Sequence, residues 1–210
     1  MESGYFELDE LITRILEDIV PPRKVDAAYL FGETADNEES VLKAGVFLYR
    51  SGLAKKITLC GTPKGHGYPG VKSWIRKLVE AGVPKKAISA ILPVKDFPPS
   101  THAEAFALTR YARARDWKNV YIVAPPLHQL RAFITSVSAV FKEKSRLKLY
   151  SFPGLPQNWE EHVVHSQGIQ KGTRSELLAK ELEKIEKYYR KGSLVSAKEV
   201  LKYLDKRDGK

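Results

Sequence analysis

Four short, mostly apolar runs recur along the chain with helix-length segments between them, and that alternation constrains the fold more than any other feature. The runs are VDAAYLFG at 25–32, KITLCG at 56–61, ISAILPV at 88–94 and NVYIVA at 119–124, with a weaker fifth, RLKLYSF, at 146–152. Short, apolar and mostly β-branched or aromatic, they read as strands buried on both faces of a parallel sheet. Between them stand EESVLKAGVFLYRSG, GVKSWIRKLVEAG, THAEAFALTRYARARDW and HQLRAFITSVSAVFKE. The first two close on Gly52 and Gly82, the residue type suited to the left-handed conformation after a helix. Strands and helices alternating in this way predict right-handed crossovers and a doubly wound, mostly parallel, Rossmann-like α/β sheet.

The two ends differ in character from this middle. Residues 1–24 read as an N-terminal element, one amphipathic helix over 1–20 stopped by Pro21-Pro22. Residues 25–155 form the α/β domain and 156–210 a helical C-terminal extension. After SFPGLPQNW no further strand is expected. RSELLAKELEKIEKYYRKG is strongly helical, with a cap at Thr173 or Ser175 and a stop at Gly192. SAKEVLKYLDKR follows, where Ser196 and Glu199 make a capping box.

Composition narrows the setting. A length of 210 residues suits one sizeable core with a small appended element. A single cysteine, Cys60, excludes an internal disulfide framework and points to a reducing cytoplasm. The N-terminal 20 residues carry acidic side chains throughout and lack the basic and apolar regions of a signal peptide. No apolar run approaches the roughly 18 residues of a membrane span. The net charge of +10 would suit a nucleic acid or a small anion. Lys and Arg are scattered and interleaved with Glu, without an aromatic-rich basic motif, which argues against nucleic acid.

In open α/β sheets ligands bind beyond the carboxyl ends of the strands. The loops there are GETADNEE, GTPKGHGYPG, KDFPPSTHAEA and PPLHQLRAF, and they hold His66, His102 and His128, three of the five histidines. Gly32 closes the first strand and Gly61 the second, both suited to close backbone approach to a ligand. Neither a G-x-G-x-x-G fingerprint nor a Walker A sequence is present. Thr62, Lys64 and His66 sit in a glycine-rich loop that reads either as an anion cradle or as plain surface. In STHAEA, Ser100 or Thr101 caps a helix, while His102 and Glu104 are also candidates for acid/base work.

APPLHQLRAF is the sharpest case. His128 and Arg131, three residues apart, fall on roughly one face of a helix's first turn. Arg131 there opposes the helix dipole and calls for a compensating anion, which it would clamp bidentately while His128 exchanges protons with it. The competing reading pairs Arg131 with an acidic neighbour. For metal, WEEHVVHSQG offers His162 and His165 beside Glu160 and Glu161, but without H-E-x-x-H or further thiols no metal centre is expected.

The order of these motifs from Val25 to Pro153 resembles the YdcF-like family, which includes SanA-like and ElyC-like members. YLFG, VLKAGVFLYRSGLAKKI, the strand ending at Gly61, LVEAGVP, STHAEAFAL and above all IVAPPLHQLRAF are similar to successive family segments. The helical tail from LLAKELEKIEKYYRKG onward is similar too. The resemblance carries over at Gly32, Gly61, Glu104, His128 and Arg131. It departs at Glu33, where relatives have a second glycine, at Thr101-His102, at Ala105 and near Gly70. It implies a Rossmann-like fold and an S-adenosylmethionine or nucleotide-like ligand, without naming a reaction. Glu33, Thr62, His66 and Thr101 join Gly32, Gly61 and Arg131 as expected ligand contacts, with His128, Glu104 and His102 as the catalytic candidates. The expectation is a small anionic ligand held by Arg131, with Glu104 orienting His128 or a ligand hydroxyl. The alternatives are a sensor or adaptor acting through the helical tail, and a homodimer through the terminal helices.

Overall fold

The computed structural model describes residues 3–92, 94 and 99–210, and side chains from residue 7 onward. Residues 1–2 of the expected first helix, Pro93 of the expected third strand and residues 95–98 of the loop behind it lie outside the described residues. Five strands, β1 (Ala27–Leu30), β2 (Ile57–Cys60), β3 (Ile88–Ile91), β4 (Asn119–Val123) and β5 (Lys148–Ser151), make one sheet in the order β3-β2-β1-β4-β5. Every pairing in it is parallel. This is the doubly wound α/β fold that the apolar runs predict.

The inner strands β2, β1 and β4 are buried on both faces, whereas the edge strand β3 is exposed at Ala90. Tyr29, Phe31, Val120, Ile122 and Leu149 face a layer built from α1 (Ser3–Leu16), α4 (Thr101–Ala114), α5 (Pro126–Lys142) and α7 (Ala197–Asp208). Their neighbours Ala28, Leu30, Tyr121, Val123 and Tyr150 face α2 (Glu38–Arg50) and α3 (Val71–Glu80). The two-residue alternation of side chains along a strand makes this division. After β3 the chain crosses back to place β4 on the far side of β1, so the strand order reverses between β1 and β4. That reversal opens a crevice at their carboxyl ends.

The expected glycine stops hold, whereas α1 ends at Leu16 and does not run on to residue 20 ahead of Pro21-Pro22. Gly52 and Gly82 have φ of 72° and 85°, and Ser196 with Glu199 forms its capping box, as does Thr173 with Glu176. The tail differs from expectation. Residues 162–173 form an antiparallel hairpin, β6 (His162–His165) and β7 (Gln170–Thr173), ahead of α6 (Arg174–Arg190). Its strands, HVVH and QKGT, are too short and too polar to stand out against a loop. Long-range bonds hold it: Val164 N donates to Asp36 Oδ2 at 2.7 Å and Thr34 Oγ1 donates to Val164 O at 2.6 Å.

β5 lies at a sheet edge, and side chains occupy its outward main-chain groups. Leu149 N donates to the Tyr203 hydroxyl, which donates in turn to Leu147 O. Arg207 Nη1 donates to Leu149 O, and Ser151 N donates to Asp18 Oδ2. Arg207 also grips Asp18 with both terminal nitrogens, at 2.7 and 2.6 Å, so α7, β5 and the segment after α1 are tied at one point.

Candidate functional site

The crevice is assembled from loops whose anchors are buried. Pro126 opens α5 at a position where a missing N–H costs nothing. Further along the first turn, Gln129 clasps the helix start to the sheet. Its side-chain oxygen accepts from Ala124 N at 2.7 Å, and its amide nitrogen donates to Ile122 O and Ser151 Oγ, both at 2.9 Å. Leu127 packs with Val163 and Leu177 in an apolar cluster joining α5, β6 and α6. The start of α6 is tied to the loop after β1 through Arg174, which donates to Asn37 Oδ1 and to the Asp36 carbonyl. The hairpin and α6 thereby become a wall of the crevice.

A cavity of about 490 Å³ results, within the range of small-molecule sites. Eight of the residues expected from the sequence border it: Gly32, Glu33, Thr62, His66, Thr101, Glu104, His128 and Arg131. Two do not. Gly61 donates from its N–H to Ile91 O at 2.7 Å, and a Cβ there would stand 2.7 Å from that oxygen, so it is β3 that approaches closely and not a ligand. His102 turns aside and packs its ring 4.6 Å from that of Phe106. Thr101 and Glu104, three apart on α4, both border the cavity, and His102 does not. His162 and His165 lie on a strand rather than a helix, where a spacing of three sends them to opposite faces, one exposed and one buried.

The roles also shift. Glu33, not Glu104, holds His128: Nδ1 lies 2.5 Å from Glu33 Oε1. Glu104 instead accepts from Gly32 N and from the Tyr29 hydroxyl, both at 3.0 Å. Arg131 is paired as the competing reading has it, donating from Nε to Glu181 Oε2 at 2.5 Å and from Nη1 to Thr101 Oγ1 at 2.8 Å. Lys184 donates to Glu181 Oε1 at 2.6 Å, and His165 Nε2 lies 3.2 Å from the same oxygen. His165 Nδ1 has no hydrogen-bond partner among the described residues and stands 3.8 Å from Glu33 Oε2.

Burial sets the protonation states. It raises Glu104 to about 7 against the opposing pull of the Gly32 N–H, Tyr29 and Arg131. It also raises Glu33 well above the carboxylate range, helped by Glu181 and Glu104, and with Arg131 it holds His128 well below its ordinary value. For Glu181 burial pushes upward too, but Arg131 and the His165 hydrogen bond outweigh it and keep the carboxylate ionised. The raised carboxyl and the lowered imidazole both favour the uncharged pair, in which Glu33 Oε1–H would donate to His128 Nδ1 and Nε2–H to Thr101 Oγ1, 3.3 Å away. Thr101 already accepts from Arg131, so its own hydroxyl hydrogen is left for the cavity.

The Glu104 state has a measurable consequence. Its folded-state value lies above the 4.5 of a free glutamate, so wild type bears no ionisation penalty below pH 4.5 and the full penalty above about 7. Glu104→Gln keeps an acceptor oxygen and does not titrate. Its stability relative to wild type should therefore rise by up to about 3 kcal/mol between pH 4 and pH 8. Urea unfolding of both proteins at the two pH values checks this, and an unchanged difference refutes it.

No protein-family model matches the chain, and no curated protein matches it. Sequence reasoning missed Glu181, Lys184 and Tyr29, and weighed His165 only as a metal ligand. A signal existed for one of them: Arg174, Leu177 and Glu181 form the buried stripe of α6, so a carboxylate stands where an apolar residue is due.

Proposed function

We propose that this protein binds a small anionic ligand, phosphorylated or nucleotide-like, in the cavity at the carboxyl ends of β1 and β4, and exchanges protons with it. One observation carries the reading. Arg131 and Lys184 bring two cations to the wall, Glu181 is the carboxylate held firmly ionised, and Glu33 is held protonated. The wall is thus rich in positive charge and hydrogen-bond donors, with Lys64 adding a further cation from the loop after β2. Glu104, poised near 7, supplies the group that can give or take a proton at neutral pH. The resemblance to the YdcF-like family agrees with this reading, since Glu104, His128 and Arg131 all border the cavity. Among the described residues no helix is long and apolar enough to cross a membrane.

Thermal shift tests the reading. AMP, glucose 6-phosphate and S-adenosylmethionine are titrated against wild type, Lys64→Ala and Lys184→Met, each compared with its own unliganded melting temperature. The phosphate compounds should raise the wild-type value, and each lysine substitution should weaken the apparent affinity about tenfold, a loss of about 1.4 kcal/mol. A response to S-adenosylmethionine alone would redirect the ligand class. No response to any phosphate compound, or equal responses in all three proteins, would sink the proposal.

A further inference from the structure

Three side chains stand in a line that ends at the cavity. Thr101 Oγ1 lies 3.3 Å from His128 Nε2, and His128 Nδ1 lies 2.5 Å from Glu33 Oε1. A hydroxyl on one imidazole nitrogen and a carboxyl on the other is the arrangement that activates a hydroxyl nucleophile, and the first distance is commonly loose before a ligand binds. Glu33 and His128 are each only 4% exposed, whereas Thr101 is half-buried. All three border the cavity, and the hydroxyl is the least buried of them.

The ordinary explanation for a threonine at a helix start is capping, and here it does not apply. Ser100 is the cap of α4, its hydroxyl accepting from Ala103 N at 3.2 Å. The Thr101 hydroxyl points to His128 and Arg131 instead. The guanidinium 2.8 Å away and the positive end of α4 both favour negative charge on Oγ1 and on a phosphoryl oxygen beside it.

We propose that Thr101, activated by His128 and Glu33, is a nucleophile that takes up the phosphoryl group of a phosphoester held in the cavity. This rests on the anionic-ligand reading. Oγ1 attacks phosphorus, the Oγ1–P bond forms and the P–O bond to the leaving alcohol breaks. The hydroxyl proton passes to Nε2 and on to the leaving oxygen. Water then attacks the same phosphorus, gives its proton to Nε2, and Oγ1 leaves and takes that proton back. The sum is phosphoester plus water to phosphate plus alcohol.

The base form needs one proton fewer than the resting pair: Glu33 ionised, Nδ1–H donating to it, and Nε2 bare. Arg131 on α5 and Lys184 on α6 favour that loss, Glu104 on α4 and Glu181 on α6 oppose it, and His165 on β6 faces the pair. Reaction should therefore speed up as pH rises.

A fluorophosphonate probe tests this, since an activated hydroxyl displaces its fluoride. Intact mass and peptide mapping should find one adduct, on Thr101, forming faster as pH rises and blocked by AMP. Thr101→Ser should retain labelling and Thr101→Val lose it. His128→Gln should slow it about 100-fold, a typical share for a general base. No adduct on wild type, an adduct elsewhere, or undiminished labelling of Thr101→Val overturns the proposal. AMP binding without labelling leaves the anionic-ligand reading standing and removes the nucleophile. Labelling of Thr101 without any AMP binding overturns the phosphoester assignment. Mapping names the residue on wild type, so the answer survives a variant that fails to fold.

Discussion

Arg131→Ala should lose about 3 to 5 kcal/mol of unfolding free energy at neutral pH, the usual result of stripping one partner from a buried ion pair. The pair is deeply set: the two side chains are 9% and 2% exposed, and the carboxylate left behind would be Glu181. Lys184 and His165 soften the loss without removing it, because neither replaces the Nε–H of Arg131. The effect has a definite pH dependence. Glu181 is depressed in the folded wild type, so its contribution is present above the unfolded value of 4.5 and fades as pH falls through the folded one. The variant lacks that contribution, and the gap between the two proteins should narrow steadily as pH falls below 4.5. Guanidinium titrations at pH 7 and pH 4 measure it. Adding Glu181→Gln to the variant should recover part of the loss, and a purely additive double-mutant cycle would show that the two residues are not coupled.

Arg207→Ala should cost a comparable amount, about 3 to 5 kcal/mol, for a different reason. Its guanidinium is 1% exposed, with Asp18 at 3%, and it also donates to Leu149 O and lies 4.6 Å from the Tyr150 ring centroid. Truncation strands a carboxylate and a strand carbonyl together. Arg207→Lys should rescue little, because an ammonium cannot span both oxygens of Asp18 while reaching the carbonyl. Hydrogen exchange should locate the damage, with the amides of Leu149 and Ser151 gaining exchange before those of β1. Uniform loss of protection across the sheet would contradict that local role.

The sheet was legible in the sequence because its inner strands are buried on both faces and their composition says so. The glycine stops and caps were legible because their chemistry is local. The hairpin was not: HVVH and QKGT carry no periodic signal, and partners more than a hundred residues away, Thr34 and Asp36, hold it in place. The site divides along the same line. The fold rule drew attention to the loops at the strand ends and so to Glu104 and His128, while Arg131 was reached through the helix dipole and Glu33 through the family resemblance. Which carboxylate serves which base could not be read, since Glu33 and Glu104 differ only in the direction each side chain takes. Glu181 and Lys184 sit in a run of alternating charge that looks like a solvated helix until α5 is packed against it.

The outer margin of β5 bears on how copies of this protein can meet. An open strand edge offers a row of unused amides and carbonyls that another chain can adopt as a template. Here Tyr203, Arg207 and Asp18 have claimed those groups from Leu147 to Ser151. A strand arriving from a second molecule finds its would-be partners taken, so the sheet does not propagate across that margin. Arg207 thereby guards against polymerisation as well as fastening a helix.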